Sequence, residues 1–130
     1  MIAVKKDKRI NGVRELKVYQ MAFDSAMQIF NLTKKLPPEE RYGLTDQIRR
    51  SSRSVCSNLS EAWRKRSYIA VFKNKLSDSA QEVSETQTWL EFAYRCNYIT
   101  EVEFKKLDNF YEQIYAMLNA MDKKAETFCS

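Results

Sequence analysis

The chain has 130 residues, 44% of them hydrophobic and 12% aromatic, which is enough for one core of ordinary size and too rich for a disordered protein. Two glycines and two prolines provide few turns for a sheet, so the composition favours a few long helices. The net charge of +5 is unevenly placed, because residues 1–17 hold six basic and two acidic side chains and residues 41–66 hold seven and two. This asymmetry indicates a polyanionic partner.

Residues 1–13 are predicted to form a flexible basic arm. Its cationic side chains are candidates for contacts to the phosphates of a nucleic acid: Lys5, Lys6, Lys8 and Arg9. The arm has charges but no apolar signal-peptide core, and no apolar run in the chain approaches the roughly 18 residues of a membrane span. We therefore expect a soluble protein without membrane contact.

The three cysteines are far apart and odd in number, which indicates neither a disulfide framework nor a zinc site. They are Cys56, Cys96 and Cys129. A reducing, cytoplasmic location fits this pattern. No metal or other cofactor is expected.

Four segments place apolar residues at alternating steps of three and four, which is the pattern of an amphipathic helix. They cover residues 14–35, 44–65, 68–95 and 101–126. Because the connections are short, consecutive helices should be antiparallel neighbours. The predicted fold is an all-α, antiparallel up-down-up-down four-helix bundle over residues 14–126.

Local signals set the helix boundaries. Pro37 and Pro38 end the first helix, since proline lacks the backbone N–H that a helix interior needs. Before the fourth helix, Asn97 suits a left-handed residue, and Thr100 with Glu103 forms a capping box.

The apolar stripes predict which helix faces are buried. In the first helix the predicted stripe is Leu16, Tyr19, Phe23, Ala26, Phe30 and Thr33. In the second helix the buried face is predicted to hold Leu44, Ile48, Val55, Leu59 and Ala62. The opposite face of the second helix then carries Arg49, Arg53, Ser57, Ser60 and Arg64.

This basic face has two interpretations. Charged stripes usually do no more than solvate the outside of a bundle. A solvated face, however, normally interleaves acidic with basic residues, and this segment has no acidic residue between Asp46 and Glu61. The competing interpretation makes the stripe a nucleic-acid-binding surface, with Arg49, Arg53, Arg64, Lys65 and Arg66 as the candidate residues.

A second polar group is predicted to act in structure. It comprises Arg50, Asn58 and Glu61 of the second helix and Glu82 of the third. The serines of the second helix are small and permit close approach of a partner helix. That partner lies either inside the same bundle or in another copy of the protein, which would make contact through the flank that holds Arg50, Ser54 and Glu61. No catalytic residue is expected, because the chain has no histidine and no nucleophile beside a base.

The segment LPPEERYGLTDQIRRSSRSVCSNLSEAWRKR resembles the signature of the 23S rRNA-intervening sequence protein family. The matching positions are Glu40, Tyr42, Gly43, Leu44, Gln47, Ile48, Arg49, Arg50, Ser54, Asn58 and Glu61. The resemblance covers roughly residues 14–122. Two positions depart from the usual pattern, since Ala62 and Asn97 stand where the family has glycine.

The resemblance implies a four-helix bundle that assembles into a homopentamer and has no known enzymatic activity. It also implies kinship to the accessory proteins of diversity-generating retroelements, which engage nucleic acid and reverse transcriptase. Two hypotheses follow. The protein binds RNA or DNA without reading sequence, or it is an oligomeric adaptor whose basic residues serve subunit contacts and a protein partner such as a reverse transcriptase.

Overall fold

The structure is a computed structural model that describes residues 10–129. The arm residues Lys5, Lys6, Lys8 and Arg9 lie outside the described residues. At the end of the predicted arm, Ile10 and Val13 pack against the core.

Four long helices form the molecule, and they closely follow the predicted segments. They are α1 Lys17–Leu32, α2 Leu44–Arg64, α3 Ile69–Arg95 and α4 Glu101–Lys123, followed by a single turn, α5 Ala125–Phe128. Short 3-10 turns at Val13–Glu15, Thr33–Lys35 and Pro38–Glu40 flank α1 and lead into α2. None of the helices in residues 10–129 is long and apolar enough to cross a bilayer.

The helices pack in chain order around one core, which confirms the predicted bundle. Each long helix contacts the next, and α4 contacts α1. Hydrogen bonds between α2 and α3 show that the two helices run in opposite directions, because Ser51 pairs with Thr86 while Val55 pairs with the earlier Ser79. The described residues contain no strand.

Small hydroxyl side chains link α2 and α3. Ser79 Oγ donates to the Val55 carbonyl at 2.8 Å, and Thr86 Oγ1 lies 2.8 Å from Ser51 Oγ. All three hydroxyl residues are buried. Each of these hydroxyl groups has a hydrogen-bond partner inside the interface, and the small side chains let the two helix backbones approach closely. Close helix contact through small hydroxyl residues is therefore found inside the bundle, between α2 and α3.

Large apolar side chains fill the rest of the interior. Phe72, Leu90, Ile114 and Leu118 are nearly inaccessible to solvent, and Tyr111 is fully buried. Cys56 is also buried, as expected for a free cysteine on a helix, and this burial raises the pKa of its thiol to about 12. The thiol therefore stays protonated at neutral pH.

The predicted core stripe of α1 is wrong in its middle. The residues that face the core are Val18, Ala22, Ser25 and Ile29. Phe23 is instead 48% exposed, and Tyr19 and Phe30 are half-buried beside α2. Both sets obey the same three-and-four spacing, so periodicity alone could not choose between them. The smaller set faces inward because Ala22 and Ser25 leave room for the neighbouring helices.

The predicted boundary between α3 and α4 is confirmed. Asn97 has a positive φ of 62° and ends α3. The Glu103 N–H donates to Thr100 Oγ1 at 3.1 Å, and the Thr100 N–H donates to Glu103 Oε1 at 2.8 Å. Lys35 Nζ lies 2.7 Å from the same carboxylate, and its hydrogen bond lowers the pKa of Glu103. The cap thus also ties α4 to the end of α1.

Thr100→Ala should lower the free energy of unfolding by about 1 kcal/mol, because it removes the side-chain acceptor of the capping box. Thr100→Ser keeps the oxygen and should stay close to the parent protein. Urea denaturation of both variants measures the difference. Equal losses in the two variants would show that the cap does not stabilise α4.

Candidate nucleic-acid interface

The outer face of α2 carries the predicted basic residues. Ile48, Val55 and Leu59 are buried against the other helices, so the opposite side of α2 faces outward. Arg53, Arg64 and Lys65 are exposed on this face. Arg49 and Arg66 are half-buried, since each is held by neighbouring groups.

Arg49 joins α2 to the end of α1. Its Nε donates to Thr33 Oγ1 at 2.8 Å, and its Nη2 donates to the Phe30 carbonyl at 3.3 Å. The guanidinium also lies 4.7 Å from the centre of the Phe30 ring, a distance typical of a cation–π contact. Arg49 therefore has a structural role that the sequence did not indicate. Its Nε and Nη2 already donate hydrogen bonds within the protein.

Arg66 is fixed at the other end of α2. Its guanidinium lies 3.8 Å from the centre of the Trp63 ring, and its Nε donates to the Trp63 carbonyl at 2.8 Å. Trp63 in turn packs edge-on against Phe128 of α5. The charge of Arg66 is thus held in place by the C-terminal end of the bundle.

The N-terminal half of α2 borders an open depression of about 490 Å³, here called the arginine groove. Its lining residues are Arg41, Thr45, Asp46, Arg49, Arg50, Arg53, Ser54 and Ser57. Within the described part of the chain, Arg41, Arg50 and Arg53 form no ion pair with a carboxylate. Four guanidinium groups and three hydroxyls around one acidic residue make this groove suited to a phosphate backbone.

A second basic depression, the terminal cleft, lies at the C-terminal end of α2. It measures about 580 Å³ and is lined by Asn11, Gly12, Val13, Arg14, Glu15, Tyr19, Ser60, Trp63, Arg64 and Arg66. Arg14 brings a third guanidinium to this cleft from the turn before α1.

Sequence reasoning missed Arg14 and Arg41 as site residues. The helical-face argument that selected Arg49 and Arg53 was confined to the second predicted helix, residues 44–65, and neither Arg14 nor Arg41 lies in it. The excess of positive charge in residues 1–17 and 41–66 was the only signal that included them.

Between the two basic depressions lies a third of about 450 Å³, here called the aromatic groove. It is lined by Tyr19, Phe23, Ala26, Met27, Phe30, Arg53, Cys56, Ser57, Ser60 and Glu61. The misassigned apolar stripe of α1 forms one wall, and small residues of α2 form the other. Phe23 and Met27 are 48% and 46% exposed, so the groove presents apolar surface to solvent.

The predicted structural network does not form as one unit. Asn58 Nδ2 donates to the Ser54 carbonyl within α2 at 3.0 Å, and Glu61 pairs with Lys75 of α3 at 2.7 Å. No hydrogen bond or ion pair joins Arg50, Asn58, Glu61 and Glu82 to one another in residues 10–129. Asn58 and Glu61 are thus bonded to residues outside the predicted network, and the side chains of Arg50 and Glu82 form no hydrogen bond or ion pair within the described residues.

Glu82 has an unusual environment on α3. Its Oε1 is buried and has no hydrogen-bond partner among the described residues. Burial raises the pKa of Glu82, and the charge of nearby Glu85 raises it further, while Arg50 lowers it. The charge of Arg50 therefore lowers the pKa of Glu82 without forming an ion pair with it in the described residues.

Comparison with known proteins places these features in a family. The family model described as 23S rRNA-intervening sequence protein matches residues 14–120. The chain belongs to this family. No curated protein matches the chain.

A solved structure of similar fold supports the family assignment. It is the 1.70 Å crystal structure of a protein of unknown function from the S23 ribosomal protein family of Bacteroides thetaiotaomicron. The two chains are 33% identical with a TM-score of 0.74, and the match covers 82% of this chain and 98% of the other. The family match includes α1, α2 and α3 entirely and most of α4, and therefore the arginine groove and the aromatic groove.

The two central arginines of the arginine groove should differ in their effect on stability. Arg49→Ala should lower the free energy of unfolding by about 1–2 kcal/mol, because it removes two charge-assisted hydrogen bonds to the end of α1. Arg53→Ala removes an exposed side chain whose guanidinium lies 5.8 Å from the centre of the Phe30 ring but forms no hydrogen bond or ion pair in residues 10–129, and it should change stability by no more than about 0.5 kcal/mol. Chemical denaturation of both variants tests this contrast, and equal losses would contradict the separate role of Arg49.

Proposed function

We propose that this protein is a non-enzymatic, oligomeric nucleic-acid-binding protein that contacts RNA or DNA through the basic face of α2 without reading sequence. The observation that carries the proposal is the arginine groove. It gathers four guanidinium groups with hydroxyl residues on one open surface, and three of the arginines have no carboxylate partner in the described part of the chain. Arginine and hydroxyl side chains are common ligands of phosphate oxygens.

The position of the acidic residues supports this proposal. Glu61 is bonded to Lys75, Glu103 to Lys35 and Glu101 to Lys105, so these carboxylates are engaged by lysines of other surfaces. Asp46 is the one acidic side chain among the residues that line the arginine groove. A polyanion at this groove would therefore meet mainly positive charge.

Assembly into a homo-oligomer is the second part of the proposal, with five subunits as the family resemblance implies. Exposed apolar side chains outside the basic face support it, because Phe92 is 54% exposed and Val102 is 76% exposed. A ring of subunits would repeat the arginine groove, and weak phosphate contacts would then add through avidity.

The adaptor hypothesis rests on the same exposed apolar surface. In that case the basic residues serve subunit or partner contacts, and the protein has little affinity for nucleic acid to lose. The two functions predict different effects of a charge change at Arg53. Nucleic-acid binding predicts a loss of affinity for nucleic acid, and the adaptor function predicts a loss of the oligomer or of a protein partner.

Charge reversal at Arg53 tests the proposed function directly. Arg53→Glu should weaken the binding of RNA, single-stranded DNA and duplex DNA to the same extent, by about tenfold in the affinity of each subunit. The oligomer should stay intact. Lys106→Glu is the matched control, since it changes the same charge at an exposed site on α4. Retention assays across salt should also show a steep loss of affinity, with a log–log slope of about −0.9 per phosphate contact on duplex and about −0.7 on single strands.

Two results would contradict the nucleic-acid function. One is the absence of binding to every nucleic acid at about 50 mM salt, where electrostatic attraction is close to its strongest. The other is dissociation of the oligomer by Arg53→Glu with no change in nucleic-acid affinity, which is the result that the adaptor function predicts.

The oligomeric state is tested by light scattering. We expect a mass near five times the 15.4 kDa of the monomer at micromolar concentration. Phe92→Glu should lower that mass if the exposed face of α3 contributes to subunit contact, because it would bury a charge in the interface. A mass near 15.4 kDa for the unaltered protein would contradict assembly.

A further inference from the structure

The three depressions along α2 adjoin one another, because neighbouring depressions share lining residues, and they are here taken together as one groove. The arginine groove and the aromatic groove share Arg53 and Ser57, and the aromatic groove and the terminal cleft share Tyr19 and Ser60. The 21 residues of α2 make this path about 31 Å long, at 1.5 Å per residue. One bound chain could therefore contact all three.

The chemistry of the groove changes along this path. Arg41, Arg50 and Arg53 stand at one end, and Arg14, Arg64 and Arg66 line the other. Each end also has one acidic residue, Asp46 and Glu15, and the Glu15 carboxylate accepts a hydrogen bond from the Asn11 N–H. The groove thus alternates basic, apolar and basic surface.

The middle of the path presents aromatic rings. Tyr19 and Phe23 lie with ring centres 5.9 Å apart, and Phe23 is 48% exposed. Phe30 is less available, because Arg49 and Lys34 lie 4.7 and 4.9 Å from its ring centre. The carboxylate in this part of the groove, Glu61, is already bonded to Lys75 at 2.7 Å.

We propose that this groove takes single-stranded nucleic acid in preference to duplex, with bases against Tyr19 and Phe23 and phosphates at the two arginine clusters. The inference rests on the proposed function and specifies its ligand. A duplex keeps its base faces stacked inside, so it can use the arginines but gains nothing from the exposed rings. A single strand offers base faces together with its phosphates, and stacking on an aromatic side chain contributes about 1–3 kcal/mol per base without regard to sequence.

The experiment compares three fluorescent ligands by anisotropy at about 100 mM salt: a thymidine 20-mer, a 20-base-pair duplex, and a 20-mer of abasic sites that keeps the phosphates without bases. Phe23→Ala should lower the affinity for the thymidine 20-mer about tenfold and leave the affinities for the duplex and the abasic strand unchanged. Phe23→Trp should retain binding, because it preserves an aromatic face. Tyr115→Ala is the control, since Tyr115 of α4 is an exposed aromatic residue that lines none of the three depressions.

Three results would overturn the inference. If the unaltered protein binds duplex as tightly as the thymidine 20-mer, single-strand preference is wrong while nucleic-acid binding stands. If Phe23→Ala weakens all three ligands equally, stacking does not contribute. If Phe23→Ala lowers the oligomer mass in light scattering, the aromatic groove is a subunit or protein contact. Failure of all three ligands to bind at about 50 mM salt would instead contradict the proposed function itself.

Discussion

The close contact between α2 and α3 is the constraint on which the rest of this structure depends. Ser51 and Thr86 meet across the interface, and Ser79 donates to the Val55 carbonyl. Small hydroxyl residues allow this approach because they fill little space and satisfy their own polar groups. Larger side chains at these positions would force the helices apart and strain the packed core.

This contact also determines where the positive charge lies. Because Ser51 and Val55 of α2 are buried against α3, the arginines on the opposite side of α2 face away from the core. Arg49 then reaches the end of α1 and fixes that helix beside α2. The result is an open surface on which basic residues and the outer aromatic residues of α1 are neighbours.

The surface is unbalanced in charge because its potential partners are used elsewhere. Glu61 pairs with Lys75, and Glu82 is partly withdrawn into the protein, where burial raises its pKa. Arg50 influences Glu82 at a distance but forms no ion pair with it in the described part of the chain. Excess positive charge and exposed aromatic rings on one face of a protein are typical features of a binding surface.

The sequence by itself determined the helices, their order and the basic face of α2, because these depend on local periodicity, proline positions and caps such as Thr100 with Glu103. Its resemblance to the family was confirmed by the family match. Only the tertiary structure decided which apolar stripe of α1 is buried, since the stripe from Val18 to Ile29 and the stripe from Tyr19 to Phe30 have identical spacing. It also decided that Arg49 is partly structural and that Arg14 and Arg41 join the basic surface, because these contacts bring together residues from different elements that no local pattern relates.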